Sequence, residues 1–295
     1  MANATETDAM STQTELRPQA ATNVATLHRA FPSLPQEPPS RLPTENFLTY
    51  EPTLDACARK VVAVHASTTS TAMTASRPAT SWDVGRHTDY SSLYDAVLEC
   101  SIREVVAHNA LPRGGTLALS VDASTHSLSD RSFPRRLMAT LAEHGMDASQ
   151  MTLCIAHDAL PPDPRRAEAI AGAVRSTGCR LAVRAFAFQQ GSLAQLVRVP
   201  ADELRLDNSC VATIDSYPET LRAVRRLLRF AAAIGVPVVA EGVERLTQYE
   251  HLLALGCRYF QGPLILTPSP LLTATRAVVP GMPVLKAGSL GRTLA

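Results

Sequence analysis

Four side chains suited to metal binding or acid–base work are spread along the chain, His65, Cys154, His157 and Glu241, with two cations, Arg184 and Arg205, among them. Histidine, cysteine and glutamate are the ligand types of zinc. A cysteine three residues before a histidine also supplies two parts of a thiol nucleophile. Local spacing supports neither chemistry, since no CxxC pair occurs and no oxyanion donor or third residue accompanies Cys154 and His157. That pair therefore reads as core filling. What these residues share is position, because each lies in or just after a short apolar run. His65 follows Lys60–Val64, and Ser120 comes late in Leu117–Val121. Cys154 and His157 belong to Met151–Ile155 and its end, and Arg184 follows Arg180–Val183. Arg205 and Asp207 come after Asp202–Leu204, Glu241 after Val238–Ala240, and Gln261 after Tyr259–Phe260.

The elements that must position these groups alternate regularly. Arg135–His144 has helical patterning, Gly145 suits a left-handed cap, and Met151–Ile155 has the apolar look of a strand. Pro164–Thr177 is a helix opened by proline and closed by Gly178, and the strand Arg180–Val183 follows. Ser216 and Glu219 have capping-box spacing. The helix they predict places Leu221, Val224, Leu228 and Ala231 on one face, with Arg222, Arg225, Arg226 and Arg229 elsewhere. Gly235 ends it, and Val236–Ala240 is the next strand. A helix over Thr247–Leu255 closes on Gly256 and leads into Cys257–Phe260. Apolar strands without alternation are buried on both faces, which means a mostly parallel sheet. With some 230 ordered residues, a closed (β/α)8 barrel is preferred to an open sheet, and the polar strand ends then share one rim.

Composition bounds the rest. The 295 residues are 45% hydrophobic but only 5% aromatic and 19% charged, so the core is aliphatic. Twenty-eight Lys and Arg against 27 Asp and Glu give a net charge of +1, which argues against a dedicated nucleic-acid binder. The longest apolar stretch, Phe230–Ala240, is 11 residues and contains Gly235 and Pro237, too short and broken to cross a membrane. The N-terminus lacks a basic region followed by an apolar run, so no secretory signal is expected. Six scattered cysteines (57, 100, 154, 179, 210 and 257) read as reduced thiols in a cytoplasm. Residues 1–45 are rich in Ala, Thr, Ser, Pro and Gln and read as a disordered leader, 46–275 as the barrel, and 276–295 as a tail. A Ser/Thr/Ala-rich patch over 67–81 reads as a loop within the domain.

Val238–Glu244, with Gln248, Leu255–Cys257 and Gln261–Gly262, closely resembles the end of the bacterial EAL domain. Phe47–Pro52 resembles that family's opening strand, and Val199–Asp207 resembles its "LPVDxLKID" segment. The resemblance covers about residues 46–275 and implies a TIM-like barrel that hydrolyses cyclic di-GMP with divalent metals. Carried over residue by residue, the Glu of the EAL signature falls on His65 and the metal-binding Asn of the next strand on Ser120. The first glutamate of the ExTE motif falls on Cys154 and the second on His157. The paired aspartates fall on Arg184 and Ala185, and the catalytic lysine on Arg205. Glu241, Glu244 and Gln261 are kept, as a metal-site glutamate, a loop-bracing glutamate and a glutamine of the site.

Those losses set the expectations. Mg2+ and Mn2+ require hard oxygen ligands, and a guanidinium about 7 Å from a dication repels it by roughly 5 kcal/mol at an effective dielectric near 20. The chain is accordingly expected to be no enzyme and to need no cofactor, with Mg2+ or Mn2+ relevant only to residual phosphodiesterase activity. Arg184 is expected to pair with Glu241 in the vacated position; the alternative is a zinc site of His65, Cys154, His157 and Glu241. Cyclic di-GMP binding is not expected, because Ser67–Thr71 offers no basic residue where the family has a ligand-contacting arginine. The expected role is regulation or scaffolding in cyclic di-GMP signalling through an unidentified protein partner, with no membrane or nucleic acid involved. Its candidate contacts are Phe188 and the basic residues Arg222, Arg225, Arg226 and Arg229. The resemblance allows a homodimer without any residue that establishes one. Two alternatives stay open: a cyclic di-GMP receptor that binds without hydrolysis, and a residual phosphodiesterase.

Overall fold

A computed structural model describes residues 48–68, 90–112, 115–123, 125–161, 163–184 and 199–276. The expected leader, most of the 67–81 patch, Ala185, Phe188 and nearly all of the expected tail lie outside the described residues.

Eight strands close into a barrel in sequence order. They are β1 (Leu48–Asp55), β2 (Lys60–Thr68), β3 (Ala118–Asp122), β4 (Met151–Ala156), β5 (Arg180–Arg184), β6 (Glu203–Leu206), β7 (Val238–Ala240) and β8 (Tyr259–Phe260). The helices are α1 (Tyr90–Asn109), α2 (Thr125–Ser129), α3 (Phe133–His144), α4 (Pro164–Ser176), α5 (Asn208–Thr213), α6 (Pro218–Ala233), α7 (Leu246–Ala254) and α8 (Leu271–Ala274). Pairs from β2–β3 to β7–β8 are parallel, as the helix–glycine–strand repeat requires. The core is aliphatic as well: Leu119, Leu153, Ile155, Leu181 and Leu206, all on barrel strands, are fully buried.

The departure from a uniform parallel barrel is β1, which runs antiparallel to both β2 and β8. No helix separates β1 from β2, so the chain must turn straight back. Arg59 adopts a left-handed φ of 55° in that turn, and the Asp55 carboxylate accepts the Cys57 and Ala58 N–H groups. Asp55 also accepts two hydrogen bonds from Arg258, at 2.9 and 2.6 Å, and so ties the hairpin to β8. The reversal has a consequence for chemistry. Glu51, early in β1, pairs in register with His65, late in β2, and so reaches the same mouth as the ends of the parallel strands.

Local capping differs from the sequence pattern in one place. Helix α6 begins at Pro218 with no side-chain cap, and the Ser216 hydroxyl instead donates to Asp215. Proline at the first helical position presets the backbone and needs no N–H partner, so the helix starts without the predicted capping box. In α4 and α5 the work is done by Asp163 and Asp207, whose carboxylates accept from Arg165 and Ser209 N–H. Among the described residues, no helix is long and apolar enough to cross a membrane.

Candidate functional site at the barrel mouth

Strand ends deliver a connected set of charged groups to one mouth. Arg184, the last residue of β5, donates from NH1 to Asp122 Oδ2 at 2.6 Å and from Nε to Glu241 Oε1 at 3.1 Å. Its NH2 lies 3.2 Å from His65 Nε2. Arg205, on β6, is only 2% exposed. It donates to Glu203 Oε1 at 2.9 Å, to Glu241 Oε1 at 3.0 Å and to Gln261 Oε1 at 3.1 Å. Glu241 therefore bridges the two guanidinium groups. Gln261, fully buried just after β8, uses its amide N–H groups on Thr53 Oγ1 and the Glu51 carbonyl.

The structure thus brings His65, Arg184, Arg205, Glu241 and Gln261 together. It also adds one residue to the set. Ser120 pairs in register with His65, and its hydroxyl donates to the Val64 carbonyl and meets His65 Nδ1 at 3.1 Å. A second residue of β3 at the mouth is Asp122, two positions on and therefore on the same face. Sequence reasoning missed it because the strand was ended at Val121; extending the alternation by one residue finds it. Glu51 was missed because it lies on the reversed strand. Cys154 Sγ lies within 4.8 Å of His65 and Asp122 ligand atoms, and His157 is not in that group. Glu244 is exposed, and the amide of Gln248 braces its loop by accepting the Glu244 and Arg245 N–H groups.

Electrostatics follow from four carboxylates, Glu51, Asp122, Glu203 and Glu241, facing two guanidinium groups. Burial favours a protonated Asp122, but the Arg184 guanidinium outweighs it and holds the carboxyl well below the usual range. Burial, then Arg184, lowers His65, which is neutral at pH 7. Burial raises the Cys154 thiol to about 12, so it is not a thiolate nucleophile. Burial and the Glu241 charge raise Glu51 to about 7. An unfolded glutamate loses its proton near 4.5, so from there to about 7 the folded state holds the extra proton and stability falls as pH rises. Glu51→Gln should flatten that fall and stabilise the protein at pH 8 by about 1–2 kcal/mol, allowing for a carboxyl that is not wholly covered. Urea unfolding of both forms at pH 4.5, 6 and 8 measures it. An equal slope in the two proteins would mean that Glu51 titrates normally.

The Arg184–Asp122 contact gives a second expectation. Removing either partner strands the other at a partly buried mouth and should cost about 2–4 kcal/mol. The double variant Arg184→Ala/Asp122→Ala should recover part of that loss in a double-mutant cycle. Additive losses would separate the two groups energetically.

Mg2+ and Mn2+ take several hard oxygen donors. Here Asp122 Oδ2 and Glu241 Oε1 already accept from Arg184, and their neighbours include an imidazole nitrogen and a thiol. As arranged, the set does not fit a hard divalent cation, because a guanidinium holds that place.

The model of the family described as "EAL domain" matches residues 44–268. The cyclic di-GMP phosphodiesterase RocR of Pseudomonas aeruginosa is 27% identical over 157 residues, covering 53% of this chain and 40% of RocR. The cyclic di-GMP phosphodiesterase PdeF of Escherichia coli is 28% identical over 161 residues, 55% of this chain and 22% of PdeF. This chain spans less than half the length of these curated relatives. The EAL domain of Mycobacterium smegmatis DcpA has a TM-score of 0.65 at 25% identity, over 80% of this chain and 97% of that one. Klebsiella pneumoniae BlrP1, solved with manganese and cyclic di-GMP, shares the fold with a TM-score of 0.62 at 22% identity, over 79% of this chain and 58% of BlrP1.

These relatives overturn the expectation that the chain is no enzyme, since the named ones are phosphodiesterases. That expectation counted one carboxylate at the mouth, Glu241, whereas Asp122 and Glu51 reach it as well. A matching family model over most of the chain, on a closed eight-stranded barrel, places it: the chain belongs to the EAL domain family.

Proposed function

We propose that this chain is a regulatory protein of cyclic di-GMP signalling that acts through contact with a partner protein. The observation that supports this most is a mouth filled from within. The guanidinium groups of Arg184 and Arg205 spend donors on Asp122, Glu203, Glu241 and Gln261, which leaves fewer for the phosphates of a dinucleotide. The surface that would carry the contact is α6, where Arg222, Arg225, Arg226 and Arg229 are all exposed on the outside of the barrel. Glu219 is the acidic residue of that helix, and it pairs with Arg222 at 3.3 Å. Such a stripe suits an acidic segment of a partner.

Hydrolysis of cyclic di-GMP is the second reading, favoured by the activity named for the relatives. Glu51, a carboxyl near pH 7 beside Glu241, has the acidity that general acid–base catalysis uses. One experiment separates the two. Cyclic di-GMP and the associated output are measured in cells carrying wild type, Glu241→Gln, or α6 with all four arginines changed to glutamate. An output lost with the reversed helix and kept in Glu241→Gln supports partner contact. An output that follows dinucleotide turnover and disappears in Glu241→Gln supports hydrolysis and overturns the first reading.

A further inference from the structure

A cleft of about 300 Å3 lies between α3 and α4, on the outer side of the strand wall. Pro134 and Leu137 of α3, Ala169 and Ala173 of α4, and Leu153 of β4 line it. The sequence of α4 makes the room. Ala169 and Ala173 stand one turn apart on one face, where two methyl groups leave space that larger side chains would fill. Leu153 belongs to the strand wall and is fully buried, so the cleft runs between the helices down to the barrel. Its polar side chains are engaged, with one exception. The Thr177 hydroxyl donates to the Val174 carbonyl at 2.6 Å and accepts the Cys179 N–H at 3.2 Å. The Asp130 carboxylate accepts from Ser132 N–H and from Arg136, and Ser129 has a partner as well. Arg131 is the exception: it is exposed, lines the cleft, and pairs with no acidic group among the described residues.

Chemistry narrows the occupant. A peptide laid in the cleft would bury N–H and C=O groups with nothing free to bond them, which is costly. A hydrocarbon chain needs no such partners, and its burial is favourable. A water-sized group fills about 30 Å3, so the cleft holds a chain of roughly ten carbons. One uncommitted guanidinium suits one carboxylate. We infer that the cleft between α3 and α4 binds a free medium-chain fatty acid, with its carboxylate on Arg131 and its tail between Pro134, Leu137, Ala169 and Ala173. The site shares no residue with the mouth or with α6, and it goes beyond both readings of function.

Calorimetry on the full chain tests this, with monomeric sodium decanoate and octanoate as ligands and 1-decanol as the uncharged analogue. Decanoate should bind at a single site, and octanoate about tenfold more weakly, since each buried CH2 is worth roughly three- to fourfold in affinity. Arg131→Gln should weaken decanoate about three- to tenfold and leave decanol unchanged. Ala169→Phe, at an exposed position, should fill the cleft and weaken decanoate and decanol alike by about tenfold or more, with the thermal midpoint kept. Ala169→Leu repeats the test with less bulk should the phenylalanine disturb folding. No saturable uptake of decanoate would overturn the inference. So would equal affinity for the two acids, or undiminished affinity in both folded Ala169 variants. Binding to phosphatidylglycerol vesicles without binding of decanoate would overturn it too and assign this surface to a membrane.

Discussion

Arg205→Ala should lower the stability of the protein by about 3–5 kcal/mol, the cost of leaving buried charges without their partner. Arg205 is 2% exposed and sits between Glu203 and Glu241, with Gln261 completing its shell. Truncation leaves two carboxylates and an amide oxygen facing each other inside the barrel. Arg205→Met, which keeps much of the volume, should lose nearly as much, because the loss comes from stranded charge rather than from a cavity. Adding Glu203→Gln and Glu241→Gln to Arg205→Met should return a large part, since neutral amides tolerate the site better than unpaired carboxylates. Urea unfolding at pH 7.5 reads all of these. A loss below about 1 kcal/mol for Arg205→Met would show that water reaches this arginine and screens its partners.

The second large effect belongs to Gly262. Its φ is +136°, where side chains are strained, and an added Cβ would run into the backbone N–H and carbonyl of Val243. That crossing joins the loop after β7 to the loop after β8. Val243 N–H donates to the Gln261 carbonyl at 2.9 Å, and Leu264 N–H donates to the Val243 carbonyl at 2.8 Å. Backbone on one side and strain on the other leave no cheap adjustment, so Gly262→Ala should cost on the order of 3 kcal/mol or more. Glu241 and Gln261 are carried by the same two loops, so the variant should also loosen their hold on Arg205. Gly115→Ala, where a Cβ meets nothing within 4 Å, is the control and should change stability little. Equal stability of the two variants would mean that the crossing relaxes freely.

Much of this was legible in the sequence because the barrel repeats one physical statement. An amphipathic helix, a glycine in a left-handed cap and an apolar strand recur from Arg135 onward, and Gly145, Gly178, Gly235 and Gly256 all adopt positive φ. The strand-end rule then placed His65, Arg184, Arg205, Glu241 and Gln261 at one mouth. What was not legible depends on direction and length. Reversal of β1 follows from a missing crossover helix, and only the reversed strand brings Glu51 beside His65. Asp122 needed one more residue of β3 than the apolar run suggested. The pairing of Arg205 with Gln261 is a matter of three-dimensional approach that no spacing announces, whereas Glu203, two residues away on β6, shares its strand face. The capping box at Ser216 shows the converse: correct spacing can still yield to a proline that starts the helix without a cap.

A guanidinium holds the place of a hard divalent cation at the mouth, and thermal unfolding in the presence of that cation tests this most directly. The full chain, freed of metal by chelator and dialysed, is unfolded with and without millimolar Mn2+. With Arg184 and Arg205 neutralising the mouth, the midpoint should stay within about 1 °C, because an ion that does not bind the folded state cannot stabilise it. A rise of several degrees that chelator reverses and Glu241→Gln abolishes would contradict the account and return the mouth to a metal-binding site.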